Sequence, residues 1–157
     1  PEPYTPETWP DEQVVLLGHL IGDGSYLPHQ PLRYTTCDEA NSAAVAAAAE
    51  HQFGARVTRH EGPDGASWHQ LLIAGNGNRW HPAGVGRWLR QLGIFGQRSY
   101  QKRVPQAAFR LGNRQVALLL RHLWATDGSI ARRRISRGGH AVHYATTSEG
   151  LAYDVAA

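Results

Sequence analysis

Apolar residues first recur at helical spacing over residues 13–24, where Leu16, Leu17, Leu20 and Ile21 share one side of a predicted helix. Gly18 interrupts that apolar run, and Gly22-Asp23-Gly24 closes it. A glycine inside a helix costs about 1 kcal/mol relative to alanine, and an aspartate at a helix C-terminus meets the unfavourable end of the macrodipole. Residues 25–36 read as two short strands around a Pro-bracketed turn. The Ala-rich stretch 37–54, with acids in its first turn and Gly54 at its end, predicts a second helix. ARVTRH (55–60) and SWHQLLIAG (67–75) predict a hairpin. Residues 81–96, opened by Pro82, predict a helix, and 97–109 an extended linker. Leu118, Leu119, Leu123 and Trp124 fall near one face of a helix predicted over 114–128. SIARRRIS (129–136) and HAVHYATT (140–147) then predict another hairpin.

This order contains a repeat. LLGHLIGDGS (16–25) matches LRHLWATDGS (120–129), and YTTCDEA (34–40) matches ATTSEGLA (145–152). Helix, Asp-Gly, two strands and helix thus occur twice, which argues for a pseudo-twofold protein. The second copy stops inside its helix, so a truncated second repeat, within a fragment of a longer polypeptide, is expected. The predicted organisation is a linker (1–12), a first repeat (13–97), an inter-repeat linker (98–112) and an incomplete second repeat (113–157).

Composition narrows the function classes. A hydrophobic content of 41% over 157 residues predicts a folded domain. No apolar run reaches the roughly 18 residues that span a bilayer, and no signal pattern opens the chain. The single cysteine, Cys37, excludes an internal disulfide and a Cys-rich zinc site. A cytoplasmic monomer with no membrane partner is expected. The net charge is only +3, but fifteen arginines stand against one lysine, Lys102. Arginine meets phosphate and guanine with a planar fork, which suits nucleic acid. Arg132, Arg133, Arg134 and Arg137 crowd into six positions just after the second Asp-Gly.

The two nine-residue stretches, LLGHLIGDG (16–24) and LRHLWATDG (120–128), resemble the namesake helix of the LAGLIDADG homing endonucleases. The resemblance covers residues 13–157. It implies an α+β fold: a pseudo-twofold duplicated αββαββα unit, two central packed motif helices and saddle-shaped antiparallel sheets astride double-stranded DNA. Gly18 and Gly22 lie four apart on one helix face, where small residues let two helices approach closely. Each helix then delivers a terminal acid to the same place. His122 departs from the pattern at the position of Gly18, where a bulky side chain separates the helices unless it points away.

Two carboxylates held together repel unless a cation lies between them. Mg²⁺, or Mn²⁺, takes oxygen ligands and keeps water, and at a phosphodiester it activates water and stabilises the leaving oxygen. Asp23 and Asp127 are therefore the candidate metal ligands and catalytic acids. The resemblance adds the carbonyls of Gly22 and Thr126. It also implies a catalytic Lys102, because KRVP (102–105) resembles a stretch of intein-borne members. The wider stretch from Lys102 to Ile130 resembles inteins of bacterial replicative DNA helicases.

A two-stranded ribbon fits the DNA major groove, and alternate strand residues face it. Candidate DNA contacts are Arg33 and Thr35, Arg56 and Arg59, and Arg132, Arg134 and Arg137, with Arg133 in place of Arg132 and Arg134 if the register shifts. The function expected is a site-specific endonuclease that makes a metal-dependent double-strand break at an intein-free site. The alternatives are a degenerate DNA-binding domain without cleavage, or a passenger of a protein-splicing element. The splicing domain and host protein are then partners in the parent polypeptide. The chain has no His-Asn pair, so the splicing module is expected to be absent or to lie outside it.

Overall fold

Pro10, followed by the first-turn acids Asp11 and Glu12, opens helix α1 (Asp11–Asp23) in the computed structural model. The structure describes the backbone of residues 6–135 and the side chains of residues 6–126. After α1 come β1 (Gly24–Ser25), β2 (Leu32–Thr36), α2 (Glu39–Phe53), β3 (Val57–Glu61), β4 (His69–Ile73) and α3 (Gly84–Gln91). Two 3-10 turns, Ser99–Gln101 and Gln106–Arg110, lead to α4 (Asn113–Ile135). The order from α1 to α3 is the αββαββα unit that the resemblance implied. Asp38 caps α2 by accepting a hydrogen bond from the Asn41 backbone N–H at 3.0 Å. Gly54 ends it in the left-handed conformation, φ +61°.

The fold is α+β, with one antiparallel four-stranded sheet in the order β1-β2-β4-β3 among the described residues. Tyr34 on β2 lies opposite Leu71 on β4, which lies opposite Arg59 on β3. Residues 32, 34 and 36 are buried, as are 69, 71 and 73, whereas Arg33, Thr35, Gln70 and Leu72 are half-buried. That alternation buries one sheet face in the core and leaves the other open. The core combines Leu16, Leu17, Leu20 and Ile21 of α1 with Tyr34, Val45, Leu71, Leu89 and Leu123. No described helix is long and apolar enough to cross a membrane.

Three expectations are corrected. Residues 129–135 are the last turns of α4, not a strand, and α4 does not stop at Asp127-Gly128. Isoleucine, alanine and arginine are compatible with a helix, and one glycine weakens a helix without ending it. The helix expected over 81–96 spans only Gly84–Gln91. Its first residues go instead to a bridge between Gly77 and Pro82. The linker carries two 3-10 turns. The remainder of the second hairpin and the truncated repeat (136–157) lie outside the described residues.

Helices α1 and α4 pack along the glycine face. A Cβ on Gly18 would stand 3.0 Å from the Leu119 carbonyl oxygen and 3.1 Å from the His122 Cβ. A Cβ on Gly22 would lie 2.6 Å from the Thr126 Cβ and collide with Thr126 Oγ1. Positions that match in the two motifs, 18 with 122 and 22 with 126, thus face each other. In an exposed helix Gly→Ala would stabilise by about 1 kcal/mol. Here Gly22→Ala is expected to destabilise by about 1–3 kcal/mol, and by more than Gly18→Ala, through overpacking. Urea unfolding of both variants checks this, and stabilisation by Gly22→Ala would rule out the close seam.

Candidate functional site

The end of α1 is built to hold its last turn. Gly24 leaves the helix in extended conformation, with its N–H donating to the Leu20 carbonyl. Lys102 approaches from the linker and is buried. Its Nζ donates to the Gly24 carbonyl at 2.5 Å and the Leu20 carbonyl at 3.5 Å. The ammonium also lies 5.2 Å from the centroid of the Tyr26 ring. A cation on C-terminal carbonyls favours that end of the helix dipole. Asp23, beside this cap, is half-buried.

Asp23 opens into a cleft of about 390 Å³ shared with Thr35, Thr36, Asp38, Gln70 and Thr126. Thr126 is buried, and its hydroxyl donates to the Leu123 carbonyl at 2.6 Å. Their oxygens are the hard donors that Mg²⁺ selects, and Cys37, Trp68 and Ala125 share the lining with them. The Asp38 carboxylate is already engaged as the α2 cap. Among the described residues no three His, Cys, Asp or Glu side chains gather as a complete metal set. Asp127 follows Thr126 on α4, and its side chain lies outside the described residues. Two carboxylates, Asp23 and the helix-capping Asp38, therefore line this cleft against α4.

A hydrogen-bonded chain crosses the seam next to this cleft. His19, fully buried, bonds through Nδ1 to Tyr34 Oη at 2.8 Å and through Nε2 to His122 Nδ1 at 2.9 Å. His122 therefore neither points away nor separates the helices: its Cβ meets Gly18 and its ring meets His19. The sequence reading missed His19 and Tyr34. The available signal was the adjacency of His19 to the seam position Gly18, whose counterpart is also a histidine.

The DNA-contact candidates separate by face. Arg33 and Thr35 share the open sheet face, where Thr35 Oγ1 accepts a hydrogen bond from Gln70 Nε2 at 3.2 Å. Arg56 is exposed just ahead of β3. Arg59 lies in register with Leu71 and Tyr34, on the opposite face from Arg33. It grips Glu39 with both terminal nitrogens, at 2.6 and 2.7 Å, and Glu61 through Nε at 2.6 Å. Arg132, Arg133 and Arg134 belong to α4 rather than a strand. Their side chains, and all of Arg137, lie outside the described residues.

Residues 114–157 match the family described as LAGLIDADG-like domain. The chain carries a LAGLIDADG-like domain. It is also similar to replicative DNA helicase DnaB of Rhodothermus marinus, at 42% identity over 161 residues. That match covers 99% of this chain and 16% of that protein. The replicative DNA helicases DnaB of a Nostoc species and a Synechocystis species are 38% and 37% identical. Those matches cover 97% and 92% of this chain, and 17% of each relative. The chain thus spans about a sixth of the length of the curated relatives it matches. The structure packs α1, which ends in the first of the two similar Asp-Gly stretches, against α4, which enters the matched residues.

Burial lowers the His19 pKa from 6.5 to about 4, helped by His122, while Asp38 opposes the shift. Burial also lowers that of His122, with Arg121 adding in the same direction. Because the folded His19 resists protonation, the unfolded chain takes up the proton first. The stability it allows is complete above about pH 6.5 and declines as pH falls toward 4. The expected decline is roughly 3 kcal/mol. Unfolding free energies measured across that window in the native protein and His19→Gln check this: the native curve should fall more steeply. Parallel curves would remove His19 as the cause. For Lys102→Met, which keeps the stem but removes the cap, a loss of about 1–3 kcal/mol is expected in the same assay.

Proposed function

We propose that this chain is the endonuclease insert of an intein interrupting a replicative DNA helicase, and that it cuts double-stranded DNA at the uninterrupted site. The observation that carries this reading is the placement of Asp23. It stands at the end of a glycine-faced motif helix, in a cleft it shares with Thr35, Thr36, Asp38 and Thr126, against the helix that carries the second motif. The similarity to helicases over about a sixth of their length suits an insert, with host and splicing domains supplied by the parent polypeptide.

In this reading Asp23 and Asp127 hold a divalent cation, Mg²⁺ or Mn²⁺, with the Gly22 and Thr126 carbonyls assisting. When bound, that cation lowers the pKa of water and offsets charge at the leaving oxygen. The chain's own residues do the remaining work. Lys102 fixes the last turn of α1 through the Leu20 and Gly24 carbonyls, which holds Asp23 in place. A small opening that freed Nζ would place a compact cation beside the scissile phosphate, the catalytic role expected for Lys102. Arg33, Thr35 and Arg56 face the duplex from the open sheet side. Arg132, Arg133, Arg134 and Arg137, which follow the second motif in sequence, are further candidate phosphate contacts. Phosphate contacts supply affinity that falls with salt, and base-edge contacts supply specificity. Arg59, held by two carboxylates, braces β3 against α2 in this arrangement.

One observation favours a DNA-binding domain without cleavage. Helix α1 ends at Asp23, but α4 runs on to Ile135, so the two acids occupy unlike positions in their helices. The test is cleavage of the uninterrupted helicase-gene junction with Mg²⁺, by the native chain and by Asp23→Asn. Cutting by the native chain that falls at least a hundredfold in the variant, with DNA binding retained, is the expected outcome. Salt-sensitive binding to the junction without cutting by either protein selects the binding-only reading. Cutting that survives Asp23→Asn removes the metal assignment.

A further inference from the structure

A second, larger cleft of about 770 Å³ lies toward the Leu32 end of β2, whereas the Asp23 cleft is lined by Thr35 and Thr36. Its walls include His29 and Gln30 from the turn after β1, Arg79 and Trp80 from the loop after β4, and Arg90 and Phe95. None of the described residues that line it is acidic. The Arg79–Trp80 tip is held by its loop. Asn78 Oδ1 accepts from the backbone N–H groups of Trp80 and His81, at 2.9 and 2.8 Å. Deeper in the loop, Asn76 accepts from the Gly86 N–H at 2.9 Å and donates to the Ile73 carbonyl at 2.6 Å. On this held tip Trp80 is 73% exposed, more than any other large apolar residue described. The Arg79 guanidinium lies 4.3 Å from its ring centroid, and Arg90 lies 4.0 Å from that of Phe95.

Two guanidiniums, one against the exposed Trp80 indole and one against Phe95, share the lining with the amides of Gln30, Asn76 and Asn78 and form a surface for a sugar-phosphate strand. Continuity points to the same duplex that faces the sheet. Gln30 accepts a hydrogen bond from Arg33 at 3.2 Å, and Arg33 belongs to the open sheet face. From Thr36 to Leu32 the strand advances about 13 Å. Duplex DNA rises about 3.4 Å per base pair, so the cleft lies roughly four base pairs out from the Asp23 cleft.

We propose that the Arg79–Trp80 cleft is a second DNA contact, which grips the sugar-phosphate backbone flanking the cut site. Arg79 and Arg90 meet phosphates, and Trp80 lies against the sugar. This inference rests on the DNA reading above and adds a contact outside the sheet. The contact contributes affinity and register without reading sequence.

The test compares the native chain with Trp80→Ala and with the Arg79→Ala/Arg90→Ala pair. Each is titrated with a short duplex that covers only the sheet and a long duplex that extends past it on both sides. The expected result is a loss of about tenfold on the long duplex, little change on the short one, and a salt slope shallower by about two for the arginine pair. Unchanged melting temperatures would show that the exposed residues carry no fold. If the native chain binds and both variants match it on the long duplex, the cleft proposal is overturned and the DNA reading stands. An equal loss on both duplexes also overturns it. If the native chain shows no salt-sensitive DNA binding, the functional reading fails and the cleft with it. Variants that weaken only the parent polypeptide's stability or splicing would reassign the cleft to a protein neighbour and overturn the proposal.

Discussion

The close approach of α1 to α4 is the constraint from which the site follows. Helix axes ordinarily pack 8–10 Å apart, at a distance set by the side chains between them. At Gly18 and Gly22 that spacer is reduced to a hydrogen, and the opposing surface is Leu119, His122 and Thr126. Two glycines weaken α1 as an isolated helix. The packing they permit lets the rest of the core close around it, with Leu16, Leu17, Leu20 and Ile21 fully buried. Asp23 is at the end of that helix, so the seam also determines where its carboxylate stands.

A close seam leaves a sequence signature because few residue types fit it, and Gly18 and Gly22 were legible for that reason. Helix α2 was legible through Asp38 and Gly54, each demanded by a helix end. Alternation put Arg33 and Thr35 on one face of β2, and in the structure they share the open side. The continuation of α4 was not legible, since Asp-Gly is an equally good stop or interruption and the Arg-rich run after it suits either state. That Arg59 lies on the opposite face from Arg33 was not legible, because their relative face depends on the register of three strands. Lys102 offered a motif but no hint of burial: a lysine stem is apolar, and the carbonyls that draw in its head lie some eighty residues away in sequence.

Cations in this molecule divide by their surroundings. Lys102 is enclosed and spends its charge on helix carbonyls. Arg59 is exposed but clasped by Glu39 and Glu61. Arg114 bonds Asp11 with both terminal nitrogens, joining the start of α4 to the start of α1. Exposed pairs of this kind contribute little individually to stability, and their value here is placement. They tie α2 to the sheet edge and α1 to α4 at the end remote from Asp23. Net charge alone, at +3, conceals this division of labour.

The His19–His122 bond also makes the two motif helices non-interchangeable. Matching positions oppose one another across the seam, so a second copy of α1 in place of α4 would present Gly18 where His122 stands. His19 would then be buried against a residue with no side chain, its Nε2 deprived of a partner, at the cost of an unpaired polar group in the interior. The self-pairing that a symmetric glycine seam would invite is thereby penalised. The seam as built therefore distinguishes α4 from a second copy of α1.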